Sequence, residues 1–245
     1  MKADPEAQRR LLELQAIDTA LAQLAHRGRN LPEHAQLRQQ DERLQTLSDE
    51  RGKAAVAVDD LDRDIARMER DVDQVRQRAA KDQQRLDSGT GNPKDLESLQ
   101  HEIGTLARRQ EELEDAELEL MEEREQAQAG LDAVDAQLSQ LRAERGAAEQ
   151  RRDEAMAEIT AEEERQRAAR GPLVASLPDD LVSLYEKIRE QSGMGAAMLR
   201  SRQCEGCRLE LSGGELARVR SAAEDEVLRC DECRRILVRT DESGL

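Results

Sequence analysis

The sequence has no tryptophan, no phenylalanine and a single tyrosine, Tyr185. Aromatic rings supply much of the buried area of ordinary globular cores, so a compact core of the usual kind is excluded. No apolar run approaches the ~18 residues that a membrane span requires. Met1–Glu6 leads into acidic, glutamine-rich sequence instead of the apolar stretch of a signal peptide. The expectation is a cytoplasmic protein without a membrane partner. Proline is scarce, with five among 245 residues, and cysteine occurs four times, each time past residue 200. Charge is what the chain has in abundance: 54 acidic against 38 basic side chains, a formal net charge of -16. Few large apolar residues with high net charge would ordinarily indicate disorder.

Periodicity overrules that reading. Leu11, Leu14, Leu21 and Leu24 mark a first amphipathic helix, with Ile17 and Ala25 on or beside the stripe. A kink or short break is expected at 28–32, because Pro32 removes a backbone donor and disfavours helical geometry at Leu31. From Leu37 the stripe resumes through Leu44 and Leu47 and becomes regular at Ala54, Val58, Leu61, Ile65, Met68, Val72, Val75 and Ala79. Alternating three- and four-residue steps specify a left-handed coiled coil. The same phase returns from Leu96 to Ile159, with polar residues at the seam positions Gln110, Glu117, Arg124, Arg145 and Arg152. Between the two runs, 87–93 reads as the tip of a helical hairpin. Gly89 and Gly91 permit positive φ, Asn92 suits a helix cap, Pro93 suits the first turn and Asp95 the third position. Antiparallel arms about this tip should face one another where residue numbers sum to about 182, which sets Val72 near Gln110, Ile65 near Glu117 and Val58 near Arg124. Two readings of the polar seam stand side by side: long side chains lying along it with their charges in water, or room left for a further helix.

The fold class is therefore mainly α, an elongated antiparallel coiled-coil hairpin over 1–171 with a small α+β zinc ribbon at the C-terminal end. Gly171-Pro172 is expected to end the long helix, and 172–195 reads as a connector and a short helix with an apolar face of Leu181, Leu184, Tyr185 and Ile188. Gln191–Gly195 suggests a flexible joint. The ribbon occupies 196–245. Cys204-Glu205-Gly206-Cys207 and Cys230-Asp231-Glu232-Cys233 are two Cys-x-x-Cys pairs at the spacing of a structural zinc site, where each pair forms a tight turn supplying two thiolates to one tetrahedral ion. One structural Zn²⁺ per chain is the cofactor this pattern implies. Disulfides fit a cytosolic chain poorly, and a thioredoxin-type pair lacks its βαβ context. Between the pairs, Arg208–Leu211 suits a strand and Ser212–Leu216 a helix start; Glu226–Arg229 and Arg234–Arg239 suit strands.

These pieces together resemble the bacterial proteins that join a long helical hairpin to a C-terminal four-cysteine zinc ribbon. The resemblance rests on the tip Asn92–Ile103, the Leu177-Pro178 connector leading to Tyr185-Glu186, and the two cysteine signatures, the second continuing into Arg234-Arg235-Ile236-Leu237. Arg234 stands where that family often has glycine, which implies a stiffer turn with all four ligands kept. The resemblance implies a cytoplasmic, non-enzymatic adaptor; the association of some relatives with flagellar regulation, an alternative sigma factor or RNA does not carry over residue by residue.

Three functions compete. An enzyme is disfavoured, because four cysteine ligands close the zinc sphere and His26, His34 and His101 are scattered without a nucleophile. Nucleic-acid binding, RNA or DNA, would use Arg200, Arg202, Arg208, Arg229, Arg234, Arg235 and Arg239, but Glu205, Glu210, Glu226, Asp231 and Glu232 interleave with them and no aromatic is present to stack bases. A regulatory adaptor binding another protein is favoured, with Arg234 and Arg235 as candidate contacts for an acidic partner patch. At the tip, Asn92, Pro93 and Lys94 either serve only to turn and cap the chain or also meet a partner.

Overall fold

The computed structural model describes all of residues 1–245. In chain order the elements are α1 (Pro5–Arg29), α2 (Pro32–Asp87), α3 (Pro93–Ala175), α4 (Asp179–Ser192), β1 (Ala196–Arg200), β2 (Gln203–Cys204), α5 (Gly213–Ser221), β3 (Leu228–Arg229) and β4 (Ile236–Val238). The molecule is a long helical hairpin with a small C-terminal strand region. Two compact units are distinguished, Ala35–Glu149 and Met1–His34 with Gln150–Leu245.

In the first unit the seam follows the heptad phase. Leu47, Val58, Val72, Leu113, Leu138 and Ala148 are buried there, and the intervening seam positions are half-buried. The polar seam residues keep their charges at the edges. Arg124 Nε donates to Asp62 at 2.9 Å, Arg145 Nε to Asp41 at 2.6 Å, and Arg51 Nε reaches Asp135 on the opposite arm at 2.6 Å. Arg124 thus pairs one helical turn beyond Val58, a slight offset that the reach of the arginine side chain accommodates. These exposed pairs set register more than they add stability. At the tip, Gly89 has φ of +63°, and Asn92 caps α3 by accepting from the Asp95 N–H at 2.9 Å.

In the second unit, α1 ends at Asn30, whose side-chain amide donates to the His26 carbonyl, and Pro32 opens α2. Two expectations fail here. The long helix does not end at Gly171-Pro172 but runs through Pro172 to Ala175. Continuing it seats Leu173 and then Leu177 in a core with Leu11, Leu14, Leu181, Tyr185 and Ile188. Burial of each leucine is worth ~1.5–3 kcal/mol, enough to offset the ~3 kcal/mol that an interior proline costs. Nor is Gln191–Gly195 a loose joint. Gly193 closes α4 at φ of +74°, and Gly195 is wedged so tightly that an added Cβ would lie 2.5 Å from Cδ2 of Tyr185 and 2.7 Å from its carbonyl oxygen.

The four strands form one sheet in the order β2-β1-β4-β3. β1, a central strand that the sequence reading did not anticipate, pairs in parallel with β4, while β2 and β3 flank the pair antiparallel. Arg208–Leu211 forms only a single bridge, Gln203 to Glu210, instead of the expected strand, because the turn after Cys207 uses up its first residue. Ser212 caps α5 as its sequence suggested, accepting from Glu215 N–H. The chain start joins the ribbon: Lys2 bridges Glu226, and Ala3 N–H donates to Asp225 O at 2.8 Å.

Leu138 and Leu118 lie on the same helix with 2 % and 59 % exposure. Leu138→Ala should destabilise the hairpin by about 2–5 kcal/mol in thermal or denaturant melts, whereas Leu118→Ala should stay within about 0.5 kcal/mol. Equal effects would refute this seam.

Candidate metal centre

Each Cys-x-x-Cys pair curls into the same turn. Arg208 N–H donates to Cys204 O at 2.7 Å and Arg234 N–H to Cys230 O at 2.9 Å, so the two thiols of each pair are brought to one side. Strand pairing then brings the turns together: β2 ends on Cys204, and Cys230 follows β3. The four Sγ atoms lie within 4.8 Å of one another, with Cys204–Cys233 at 3.8 Å and Cys207–Cys230 at 3.9 Å. A tetrahedron of thiolates at ~2.3 Å from a zinc ion has edges of about 3.8 Å, so the donor set and its spacing fit a four-sulfur metal site. All four cysteines are free thiols, Cys204 and Cys230 buried and the other two half-buried. Burial pushes the Cys204 thiol well above its ordinary range and Cys230 to about 11, so a bound cation is what would hold both as thiolates.

The surroundings stiffen the two turns. Gly206 is required for packing, since a Cβ there would lie 2.9 Å from both Ala197 Cβ and Arg235 Cδ. Arg235 points inward, donating to the Gly206 carbonyl at 2.7 Å and the Ser192 carbonyl at 3.2 Å. Arg235, expected as a partner contact, is engaged within the chain as a brace between the first turn and the end of α4. Its neighbour Arg234 is exposed, with φ of +62°. At the hairpin tip Asn92 is occupied as the α3 cap, Pro93 is the first residue of the helix, and Lys94 is exposed; these three belong to the other unit.

Beneath the ribbon lies a polar cluster that sequence reasoning missed. The Tyr185 hydroxyl donates to Asp18 at 2.8 Å, and Asp18 also receives Arg170 Nε at 2.8 Å and faces Arg189 at 3.3 Å. Glu186 accepts from both arginines. Gln15 Oε1 takes the N–H groups of Gly195 at 2.7 Å and Ala196 at 3.3 Å, the start of β1. Burial and the bond to Asp18 hold the Tyr185 hydroxyl protonated far above the usual phenol range. The available signal was positional: Gln8, Gln15 and Asp18 lie in or beside the phase of the Leu11–Leu14 stripe, and a polar residue there must be satisfied by a partner.

A helical hairpin joined to a four-sulfur ribbon defines a class of coiled-coil zinc-ribbon proteins. Residues 14–193 match the CT398-like coiled-coil hairpin domain and residues 203–237 a C4-type zinc ribbon domain. The chain belongs to this CT398-like family. It is 42% identical over 241 residues to proteins MT2288 and Rv2229c of Mycobacterium tuberculosis, covering 98% of each sequence. A solved structure from Mycobacterium smegmatis superposes with a TM-score of 0.86 at 39% identity, over 98% of this chain and 100% of that one. CT398 of Chlamydia trachomatis shares the fold, with a TM-score of 0.67 at 18% identity over 96% of this chain and 98% of its own. No helix is long and apolar enough to cross a membrane.

Protons compete with a metal for these thiols, so metal retention should fall as pH drops from about 7 towards 5 and be lost in Cys207→Ser at any pH, read with a metal-sensitive dye. Retention in Cys207→Ser equal to that of the parent would remove this assignment.

Proposed function

We propose that the protein is a non-catalytic cytoplasmic adaptor that holds one structural Zn²⁺ and binds another protein through the ribbon and the helices beneath it. The observation that supports this most is the seating of the ribbon. Ala196, Ile236 and Val238 share one core with Leu11, Leu14, Tyr185 and Ile188, so α1, α4 and the sheet present a single rigid surface. Four sulfur donors fill a tetrahedral zinc sphere, leaving no position for an activated water. His34 is spent on the Gly28 carbonyl at 3.0 Å, and His26 and His101 are exposed helix residues, so no general base is in prospect.

Nucleic-acid binding by the ribbon is the second reading, and the engagement of the ribbon's arginines weakens it. Arg200 pairs with Glu205 and Glu242, Arg229 and Arg239 are bound to backbone carbonyls, and Arg235 is the internal brace. A chain of net charge -16 also repels polyphosphate.

The test is capture from native lysate on the tagged, zinc-loaded protein, with and without nuclease. The adaptor reading expects one or more proteins retained in stoichiometric amount after nuclease treatment. Capture that disappears with nuclease, or purified protein that binds RNA or DNA with submicromolar affinity and a steep salt dependence, would replace it with the nucleic-acid reading.

A further inference from the structure

The residue after the second cysteine of each pair holds a backbone conformation that L side chains rarely adopt. Arg208 and Arg234 both have φ of +62°. Glycine adopts this geometry at no steric cost, whereas a side chain carries strain there. The only other non-glycine residues with positive φ are Ser201 and Arg202, in the β1–β2 turn, so every such strained position in the chain is in the ribbon and three of the four are arginine. Nothing inside the molecule accounts for arginine at 208 and 234. Their backbones serve the two turns, but their guanidinium groups are exposed and make no hydrogen bond or ion pair. Two of the three acidic residues within the turns are engaged elsewhere, Glu205 with Arg200 at 2.9 Å and Asp231 with Arg218 at 2.8 Å, and neither reaches Arg208 or Arg234. The turns account for the backbone, and what they leave over is two exposed, unpaired guanidinium groups held on strained and therefore well-defined turns.

We propose that the paired turns form a docking face for a carboxylate-bearing protein surface, anchored by Arg208 and Arg234. The inference rests on the adaptor reading and names the chemistry of its partner. The metal ligands fix the spacing of the two arginines, because Cys207 and Cys233 immediately precede them in a cluster of sulfurs no more than 4.8 Å apart. Arg235, bound to the Gly206 carbonyl, braces the first turn further. Such preorganisation lowers the ordering cost of binding, and a guanidinium pairs with a carboxylate through two parallel bonds. Glu210 and Glu232 stand two residues from Arg208 and Arg234, exposed and unpaired. The face is therefore one of alternating sign. It complements a protein surface with acidic residues flanked by basic ones, and it opposes a uniformly anionic nucleic-acid backbone, for which it also offers no stacking ring.

The full-length zinc protein, labelled for NMR of arginine Nε–H groups, is titrated at physiological salt with a peptide of repeating Glu-Glu-Glu-Lys units and, separately, with single-stranded RNA of equal net charge. The Nε resonances of Arg208 and Arg234 should shift together and saturate with the peptide. The Arg208→Gly/Arg234→Gly protein should keep its zinc, melt no lower than the parent because glycine relaxes both turns, and bind the peptide at least about tenfold more weakly. No shift at either arginine, undiminished binding by the glycine protein, or tighter binding of the RNA would each overturn the proposal. In lysate capture, a nuclease-resistant protein partner that is retained equally by the glycine protein would keep the adaptor reading and reject this face.

Discussion

The Tyr185 hydroxyl donates to Asp18 at 2.8 Å, and the arrangement of the ribbon-bearing unit depends on that contact. The chain has one aromatic ring, and it lies fully buried among residues of α1, α3, α4, β1 and β4. A carboxylate at 1 % side-chain exposure is tolerable only with its lone pairs filled, which Tyr185, Arg170 and Arg189 do from two different helices. Removing any one of these partners would leave part of the buried charge without a compensating donor. The same ring sets the entry to the ribbon, since only glycine at 195 lets the backbone pass it, and Gln15 holds the N–H groups that follow.

Charge has a different function in the Ala35–Glu149 unit. A seam made chiefly of Leu, Val, Ile and Ala, interrupted by Gln110, Glu117, Arg124 and Arg145, buries little area per residue, and cross-arm pairs such as Arg124–Asp62 and Arg145–Asp41 hold the register instead. Their exposure makes them weak individually. A two-helix seam of this kind gains its stability by its length, repeating the same shallow contact along α2 and the part of α3 within this unit.

What could be read from the sequence was whatever depended on local period or spacing. The heptad phase, the break at Leu31-Pro32, the Asn92 cap and the Ser212 cap are local, and the four cysteines announce themselves by their intervals. What could not be read depended on partners distant in sequence. Pro172 is carried inside α3 because Leu173 and Leu177 find a core built by α1 and α4. Ala196–Arg200 is a strand because β4 lies beside it, and its short Ala-Ala-Met-Leu run has no alternation to reveal that. Arg235 looked like its neighbour Arg234, yet the carbonyl of Gly206, on the other cysteine turn, draws it inward. The strained φ at Arg208 and Arg234 likewise has no signature in a single sequence beyond the absence of glycine.

The ribbon and the helices beneath it share one core around Tyr185 instead of hinging at Gly193–Gly195, and should fold as one unit. Hydrogen–deuterium exchange on the zinc-loaded and zinc-stripped protein reads this coupling residue by residue. Stripping the metal should lower amide protection in α1 around Leu11–Asp18 and in α4 along with the ribbon, while Ala35–Glu149 keeps its protection. Loss confined to residues 196–245, with α1 and α4 unchanged, would contradict it.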